Sequence, residues 1–341
     1  MMSGYLPTPP SEGSVPASQA TVFLPTPFHP QAEEYAARRF GRLVRAEEGG
    51  LTREQCLEEC DAVLLRIGDM SGEDIARANK LRIIARNGTG VDSIDLEECK
   101  RRGVVVTNCP GGNAAAVAEL CLTLMLVILR RVKEISTRIA LGERIPSIMA
   151  LSPGLQGKTV GLVGMGDIAY ELCKLLLPFR CRILVFSPTS SPTRWTTADN
   201  RYPEVVPHQR VGSLDELLPQ VDVLSIHCPL TSSTRNLIST AEMEVMKPSA
   251  VIVNTARGGI IDEIALAEAL KKGKLAGAGL DVMATEPAYG ENLGELGKML
   301  NVVILPHLGG STDEITLQGC VKAVNIMADY LDGKGAVNRV V

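Results

Sequence analysis

The run Val160-Gly161-Leu162-Val163-Gly164-Met165-Gly166-Asp167-Ile168-Ala169 decides the fold. Residues 160–163 predict a strand, 168–177 a helix and 183–186 a second strand, so a G-x-G-x-x-A turn joins strand to helix inside a βαβ unit. That context, more than the glycines alone, marks a dinucleotide-binding turn. Gly164 permits the tight turn, Gly166 lets the backbone approach a pyrophosphate, and Ala169 allows close helix–strand packing. The helix start adds unpaired N–H groups at the positive end of its dipole.

Working outward, strand signals recur at 223–226, 251–253, 277–282 and 302–305, making six with the first two. Upstream, strands at 21–24, 62–65, 81–85 and 104–106 alternate with helical stretches at 31–40, 72–78 and 96–101. The spacing predicts an α/β fold of two Rossmann-like doubly wound parallel-sheet domains with an interdomain active-site cleft. Residues 113–310 form the dinucleotide-binding domain, inserted into a substrate domain of 21–112 and 311–341, with hinges near Asn113 and Gly310. Seven of the twenty prolines fall in the first thirty residues, and 1–20 reads as a disordered lead-in. Residues 114–131 predict a helix apolar on nearly every face, with Asn113 as its N-cap and a looser stretch, 133–156, after it. Such a helix must be buried between domains or against a second subunit, which predicts a homodimer. The last helix opens at Ser311-Thr312-Asp313-Glu314, a capping-box pattern, and Gly333 stops it.

A length of 341 residues agrees with about two domains. With 45% hydrophobic residues but only 4% aromatic, the core is aliphatic. A net charge of -4 and so few aromatic rings exclude a nucleic-acid partner read by stacking or by a basic face. The nine cysteines form no C-x-x-C pair and no metal-ligand cluster, so no metal is expected and the thiols suit a reducing, cytoplasmic setting. No secretory signal is visible, and the apolar run at 114–129 is too short for a membrane span and contains Glu119.

Three further runs carry chemistry: Asn254-Thr255-Ala256-Arg257-Gly258-Gly259, Leu280-Asp281-Val282-Met283-Ala284-Thr285-Glu286-Pro287 and Leu305-Pro306-His307-Leu308-Gly309-Gly310. With the glycine turn, these runs, four motifs in order over residues 22–341, resemble the D-isomer-specific 2-hydroxyacid dehydrogenases, and most closely the 3-phosphoglycerate dehydrogenase branch. All three runs follow predicted strands, at the carboxyl edge where such sheets bind ligands. Arg257 offers a planar fork for a carboxylate and a developing oxyanion, and His307, alone among the four histidines, takes the acid/base role. Glu286 would hold the His307 ring and fix its tautomer. The resemblance implies the same catalytic roles for Arg257, Glu286 and His307. It also implies cofactor contacts at Thr89, Asp167, Ile168, Cys228, Thr255, Ala256, Asp281, Leu308, Gly309 and Gly310, beside Gly164 and Gly166. His227 ends another strand on the nicotinamide side, whereas His29 and His208 lie in proline-flanked loops.

Two positions depart from the family pattern. Where an acidic residue would bind the ribose of NAD stands Ser187, and Thr189, Ser190, Ser191 and Arg194 follow. A hydroxyl does not repel a 2′-phosphate, so among NAD(P)(H) cofactors the expectation leans to NADP(H). Asp167 puts a carboxylate beside the expected pyrophosphate, unfavourable unless it points to solvent. The run Ala85-Arg86-Asn87-Gly88-Thr89-Gly90-Val91-Asp92 resembles the family's substrate-carboxylate loop, where successive N–H groups form an anion nest. Substrate contacts are expected at Arg66, Arg86, Gly88, Gly90 and Asn113. Two or three converging arginines, among which Arg144 is a further candidate, would suit a phosphate dianion, which makes 3-phosphoglycerate the leading substrate. Glyoxylate or hydroxypyruvate is the alternative, and no C-terminal regulatory extension is expected. A redox-sensing, corepressor-like interaction protein is the reading from another class, because one branch of the family uses this fold that way.

Overall fold

The computed structural model describes residues 15–110, 112–202 and 204–341 of the chain. Two compact units divide it: the first runs to Asn113 and resumes at Ser311, and the second is Ala114–Gly310. The first 14 residues of the expected disordered lead-in lie outside the described residues. The remainder, 15–20, is packed and not disordered: Ala17 and Ala20 are buried, and the Ala17 N–H donates to Asp332 Oδ1 at 3.0 Å.

Five parallel strands organise the first unit: β1 (Thr21–Phe23), β2 (Arg42–Val44), β3 (Ala62–Leu65), β4 (Ile83–Arg86) and β5 (Val105–Thr107), in the order β2-β1-β3-β4-β5. Helices α1 (Pro30–Arg39), α2 (Arg53–Glu59), α3 (Gly72–Arg77) and α4 (Leu96–Arg102) make the crossovers. β3 is buried at all four positions, as expected of a strand covered on both faces. The pattern of apolar runs did not announce β2 or α2. β2 is a three-residue edge strand in which only Val44 is buried, and its partner β1 defines it. α2 does carry a readable start, the capping box of Thr52 and Gln55.

The second unit begins with α5 (Ala114–Leu129) and α6 (Val132–Ala140) and continues through β6 (Thr159–Val163), α7 (Asp167–Leu176), β7 (Arg182–Phe186) and β8 (Gln209–Arg210). The chain then forms α8 (Leu214–Leu217), β9 (Val223–Ile226), α9 (Thr240–Glu244), β10 (Val251–Asn254), α10 (Glu263–Lys271), β11 (Gly277–Leu280) and β12 (Val302–Ile304). Its parallel sheet has the order β12-β11-β10-β9-β6-β7-β8, so the chain steps outward from β6 and reverses between β6 and β9. At such a switch point the carboxyl ends diverge and leave a crevice for a ligand. The last helix, α11 (Asp313–Leu331), belongs to the first unit and is capped by Thr312, whose hydroxyl accepts from the Ile315 N–H.

The apolar helix differs from expectation in two ways. It stops at Leu129, Arg131 turns left-handed at φ 52°, and α6 then occupies part of the stretch expected to be loose. It is also buried within its own unit, against α7 and strands β10 and β11. A Cβ on Gly279 would lie 2.9 Å from Leu124 Cβ, and one on Gly277 2.6 Å from Ile128 Cγ2. Glycines in β11 therefore let the helix sit directly on the sheet. Each fully buried Leu or Met, Leu124 and Met125 among them, contributes about 2 kcal/mol there.

Candidate active site

The glycine turn closes the switch point. Gly164 takes φ 113°, and a Cβ on it would come 2.5 Å from the carbonyl oxygen of His227, at the end of β9. The His227 N–H in turn donates to Val163 O at 2.8 Å, which pins the two strand ends together. Gly166 is the N-cap of α7 and supplies no side-chain cap, and a Cβ on it would meet nothing within 4 Å. Uncapped N–H donors facing open space fit a dinucleotide's pyrophosphate. Ala169 is wholly buried and Ile168 half-buried. Asp167 does not simply point to solvent: Arg201 Nη2 donates to both its oxygens, at 2.8 and 2.6 Å, and the Tyr202 hydroxyl to one, at 2.8 Å.

At the end of β7, the nearly buried Ser187 hydroxyl shares a hydrogen bond of 2.7 Å with Ser190. The turn wraps around Arg210, whose guanidinium donates to the carbonyls of Ser187, Ser190 and Ser191 at 2.9, 3.1 and 2.7 Å. Arg194 is turned to the glycine loop and donates to Met165 O at 3.1 Å.

The catalytic candidates gather at the ends of β10, β11 and β12. Buried Asn254 curls the first loop: its Oδ1 accepts from the Ala256 N–H at 3.0 Å and its Nδ2 donates to Arg257 O at 2.8 Å. The Arg257 Nη1 donates to Ala256 O at 2.7 Å. A Cβ on Gly258 would overlap the Met283 carbonyl, so only glycine lets the Arg257 turn lie against the loop that carries Glu286. Glu286 Oε2 and His307 Nδ1 are 3.0 Å apart. Burial would raise the Glu286 carboxyl, but the hydrogen bond and charge of His307, then the Met283 N–H and Arg257, hold it below the usual carboxylate range. With Nδ1 facing Glu286, Nε2 is the ring nitrogen left to exchange a proton with a substrate.

His307 sits at φ 57°, an uncommon conformation for a residue other than glycine. Asp281 is what holds it there. The His307 N–H donates to Asp281 O at 2.8 Å, and the N–H groups of Leu308 and Gly309 donate to its carboxylate at 2.6 and 2.8 Å. Burial raises the Asp281 carboxyl, and those two N–H groups oppose the shift. Asp281, expected among the cofactor contacts, is thus first a scaffold for the histidine turn.

Other expected contacts divide by environment. The Thr255 hydroxyl points inward to Cys121 Sγ at 2.8 Å, so a ligand would meet its backbone. Burial pushes the Cys228 thiol up to about 11, which keeps it an unreactive thiol. Burial pushes His227 down to about 4, so this ring, 2.9 Å from Ser225 Oγ, is neutral at physiological pH. His29 Nδ1 accepts from the Gln31 N–H at the start of α1 and its Nε2 meets Asp313, and His208 packs edge-on to Trp195.

In the first unit the loop after β4 ties back its carbonyls. Gly88 O accepts from the Cys109 N–H, Thr89 O from Asn108 Nδ2 and Gly90 O from Arg86 Nε, at 2.9, 2.8 and 3.2 Å. In a trans peptide each N–H points opposite the preceding carbonyl, so the N–H groups of Thr89, Gly90 and Val91 point away from these three partners. The Arg86 Nη1 donates to Arg66 O, so its guanidinium ties the loop to the end of β3. Arg66 Nη2 lies 3.4 Å from Ser311 Oγ, and Asn113 stands half-exposed just before α5. Sequence reasoning missed Asn254 and Arg201: the first had a signal in its place at a strand's carboxyl end, the second had none.

The family model for the NAD-binding domain of D-isomer specific 2-hydroxyacid dehydrogenases matches residues 122–309. Glyoxylate reductase of Thermococcus litoralis is 39% identical over 265 residues, 76% of either chain. D-3-phosphoglycerate dehydrogenase of Archaeoglobus fulgidus is 36% identical over 326 residues, 93% of this chain but 59% of that longer one. Among solved structures, an NADPH-dependent glyoxylate/hydroxypyruvate reductase from Sinorhizobium meliloti, in complex with NADP and malonate, superposes with a TM-score of 0.77. It is 26% identical and covers 95% of this chain and 97% of its own. Paired α/β sheets, a glycine turn at the switch point and Arg257, Glu286 and His307 on adjoining loops agree with these matches: the chain belongs to the D-isomer specific 2-hydroxyacid dehydrogenase family.

Proposed function

We propose that the chain interconverts a small 2-oxo acid of the glyoxylate or hydroxypyruvate type and its 2-hydroxy acid, using NADP(H). The observation that carries the chemistry is the 3.0 Å pair of His307 Nδ1 and Glu286 Oε2 beside the Arg257 turn. In reduction, His307 Nε2 delivers a proton to the substrate's C2 oxygen, and in oxidation it takes that proton back. Arg257 orients the acid and stabilises charge developing on the same oxygen. When bound, the nicotinamide supplies or accepts the hydride. Gly164, Gly166 and the backbone N–H groups of Asp167 and Ile168 would hold its dinucleotide at the pyrophosphate turn, with Ser187 at the ribose. Thr89, Cys228, Thr255, Ala256, Asp281 and the Leu308–Gly309–Gly310 backbone would line the remainder.

The N–H groups of the 88–91 loop, Gly88 and Gly90 among them, would receive the substrate carboxylate, with Asn113 as a further contact. A phosphate dianion is best held by several arginines, whereas Arg86 donates to two backbone carbonyls, which favours the unphosphorylated acid. 3-Phosphoglycerate is the second reading, favoured by Arg66 beside Ser311. The NADP(H) preference rests on Ser187 and on the absence of Asp and Glu from residues 187–194. Turnover with a panel of 2-oxo acids and 3-phosphoglycerate, each with both cofactors, tests these readings together. A clearly higher kcat/KM with NADH overturns the NADP(H) preference, and binding without any turnover favours the sensing role. His307→Asn should lower kcat by about 10²–10⁴-fold, and near-normal kcat would sink the assignment.

A homodimer is proposed on a ground other than α5. Between α6 and residue 151, Leu141, Ile148, Met149 and Leu151 expose 76, 69, 70 and 68% of their surface. So concentrated an apolar surface is expected to be covered by a second copy. Nine cysteines without a disulfide suit the cytoplasm. Among the described residues no helix is long and apolar enough to cross a membrane.

A further inference from the structure

Asp167 places a full negative charge on the first residue of α7, where the backbone otherwise presents only donors. A carboxylate there opposes an incoming pyrophosphate. The excursion between β7 and β8 answers that charge. Arg201 Nη2 reaches both Asp167 oxygens, at 2.8 and 2.6 Å, and the Tyr202 hydroxyl donates to Oδ1 at 2.8 Å. A second fastening lies two residues back, where Arg194 Nη1 donates to the carbonyl of Met165, between the two glycines, at 3.1 Å.

The segment that carries these groups is built to hold them still. The Tyr202 ring is flanked by the guanidinium carbons of Arg194 and Arg201, 5.7 and 5.6 Å from its centroid, and packs on Tyr170 of α7 at 4.6 Å. Trp195 is wholly buried at φ 61°, and its backbone N–H donates to Asp199 Oδ2 at 3.0 Å. The chain therefore straps two cationic side chains onto the glycine turn, at the one place where its sequence puts an anion.

We propose that Arg201 is a positioning residue for the dinucleotide: by holding the Asp167 carboxylate it removes the charge that would otherwise repel the cofactor's pyrophosphate. The proposal rests on the reading of the glycine turn as the pyrophosphate site. Tyr202 steers the same carboxylate, and Arg194 keeps the turn in register. Repulsion between solvent-exposed charges is screened by salt, whereas a packing defect is not.

The test is calorimetric binding of ADP-ribose and of its 2′-phosphate, which have the pyrophosphate but no nicotinamide, to the full chain, with the tighter of the two used for the variants. In low salt Arg201→Gln should weaken binding about tenfold, an effect of the size expected for one uncompensated charge close to a dianion. At ~0.5 M salt the difference should shrink to about twofold. Asp167→Asn should bind at least as tightly as the parent, and the double variant Asp167→Asn/Arg201→Gln should recover the parent's affinity. Arg201→Lys, which keeps the charge, should stay within about threefold. Unchanged affinity in Arg201→Gln, or a double variant as weak as the single one, overturns the proposal. If Arg201→Gln does not fold, Arg201→Lys and the double variant decide the question by the same comparison. A parent chain that binds neither ADP-ribose nor its 2′-phosphate would instead overturn the cofactor reading of the turn itself, and the role of Arg201 with it.

Discussion

At the scale of single residues, His307 owes its position to Asp281 more than to its own neighbours. A left-handed backbone at a residue other than glycine costs about 1 kcal/mol, and three hydrogen bonds to Asp281 hold it. Asp281→Asn would set an amide N–H₂ against one of two backbone N–H groups. Stability should fall by about 1–3 kcal/mol, and kcat should fall while Glu286 and His307 remain in place. Denaturant melts and single-turnover rates on the same preparation check this, and an unchanged pair of values would refute it. His227 is neutral in the folded chain at physiological pH. Its folded pKa is depressed to about 4 by burial, so its contribution to stability is complete above the unfolded value and is lost as pH falls toward the folded one. From about pH 6.5 down to pH 4 the parent should lose about 1–3 kcal/mol more than His227→Gln, measured by guanidinium midpoints. Parallel pH profiles would show that this ring is not the source.

At the scale of elements, glycines determine which surfaces touch. β11 reads Gly-Ala-Gly-Leu, and its two glycines form the bed on which Leu124 and Ile128 of α5 lie. Gly279→Ala would bring a methyl group 2.9 Å from Leu124 Cβ, forcing α5 away from the sheet. We expect a loss of about 1–3 kcal/mol with ADP-ribose affinity little changed, because the glycine turn lies on β6. A variant as stable as the parent would mean that α5 can shift freely. The sequence pattern identified β11 as a strand and 114–129 as an all-round apolar helix. That the two lie directly against each other follows only from their pairing in space.

At the scale of the molecule, the segment from α6 to Leu151 gathers Leu141, Ile148, Met149 and Leu151 as exposed apolar side chains close together in sequence. A paired Leu141→Glu/Ile148→Glu variant should halve the mass seen by light scattering at micromolar concentration and lower thermal stability, since a dimer's stability depends on concentration. A parent chain that is already monomeric would refute the dimer. The all-round hydrophobicity of 114–131 pointed to a second subunit, but the structure assigns that burial to the unit's own sheet. The exposed segment that follows is a different argument for the same conclusion.

What the sequence determined by itself was periodic and local. Apolar strand runs, the strand–glycine–helix order and the carboxyl-end placement of Arg257, Glu286 and His307 follow from short-range geometry, and the structure has them in the elements expected. Short pieces such as β2 and β8 were not legible, because an edge strand of two or three residues exists only through its partner. The destination of side-chain charge was not legible either. Arg86 binds backbone oxygens, and Arg201 crosses to Asp167, 34 residues away along the chain. Ion pairs and braces of that kind form between groups distant in sequence, and only the tertiary structure decides which of them meet.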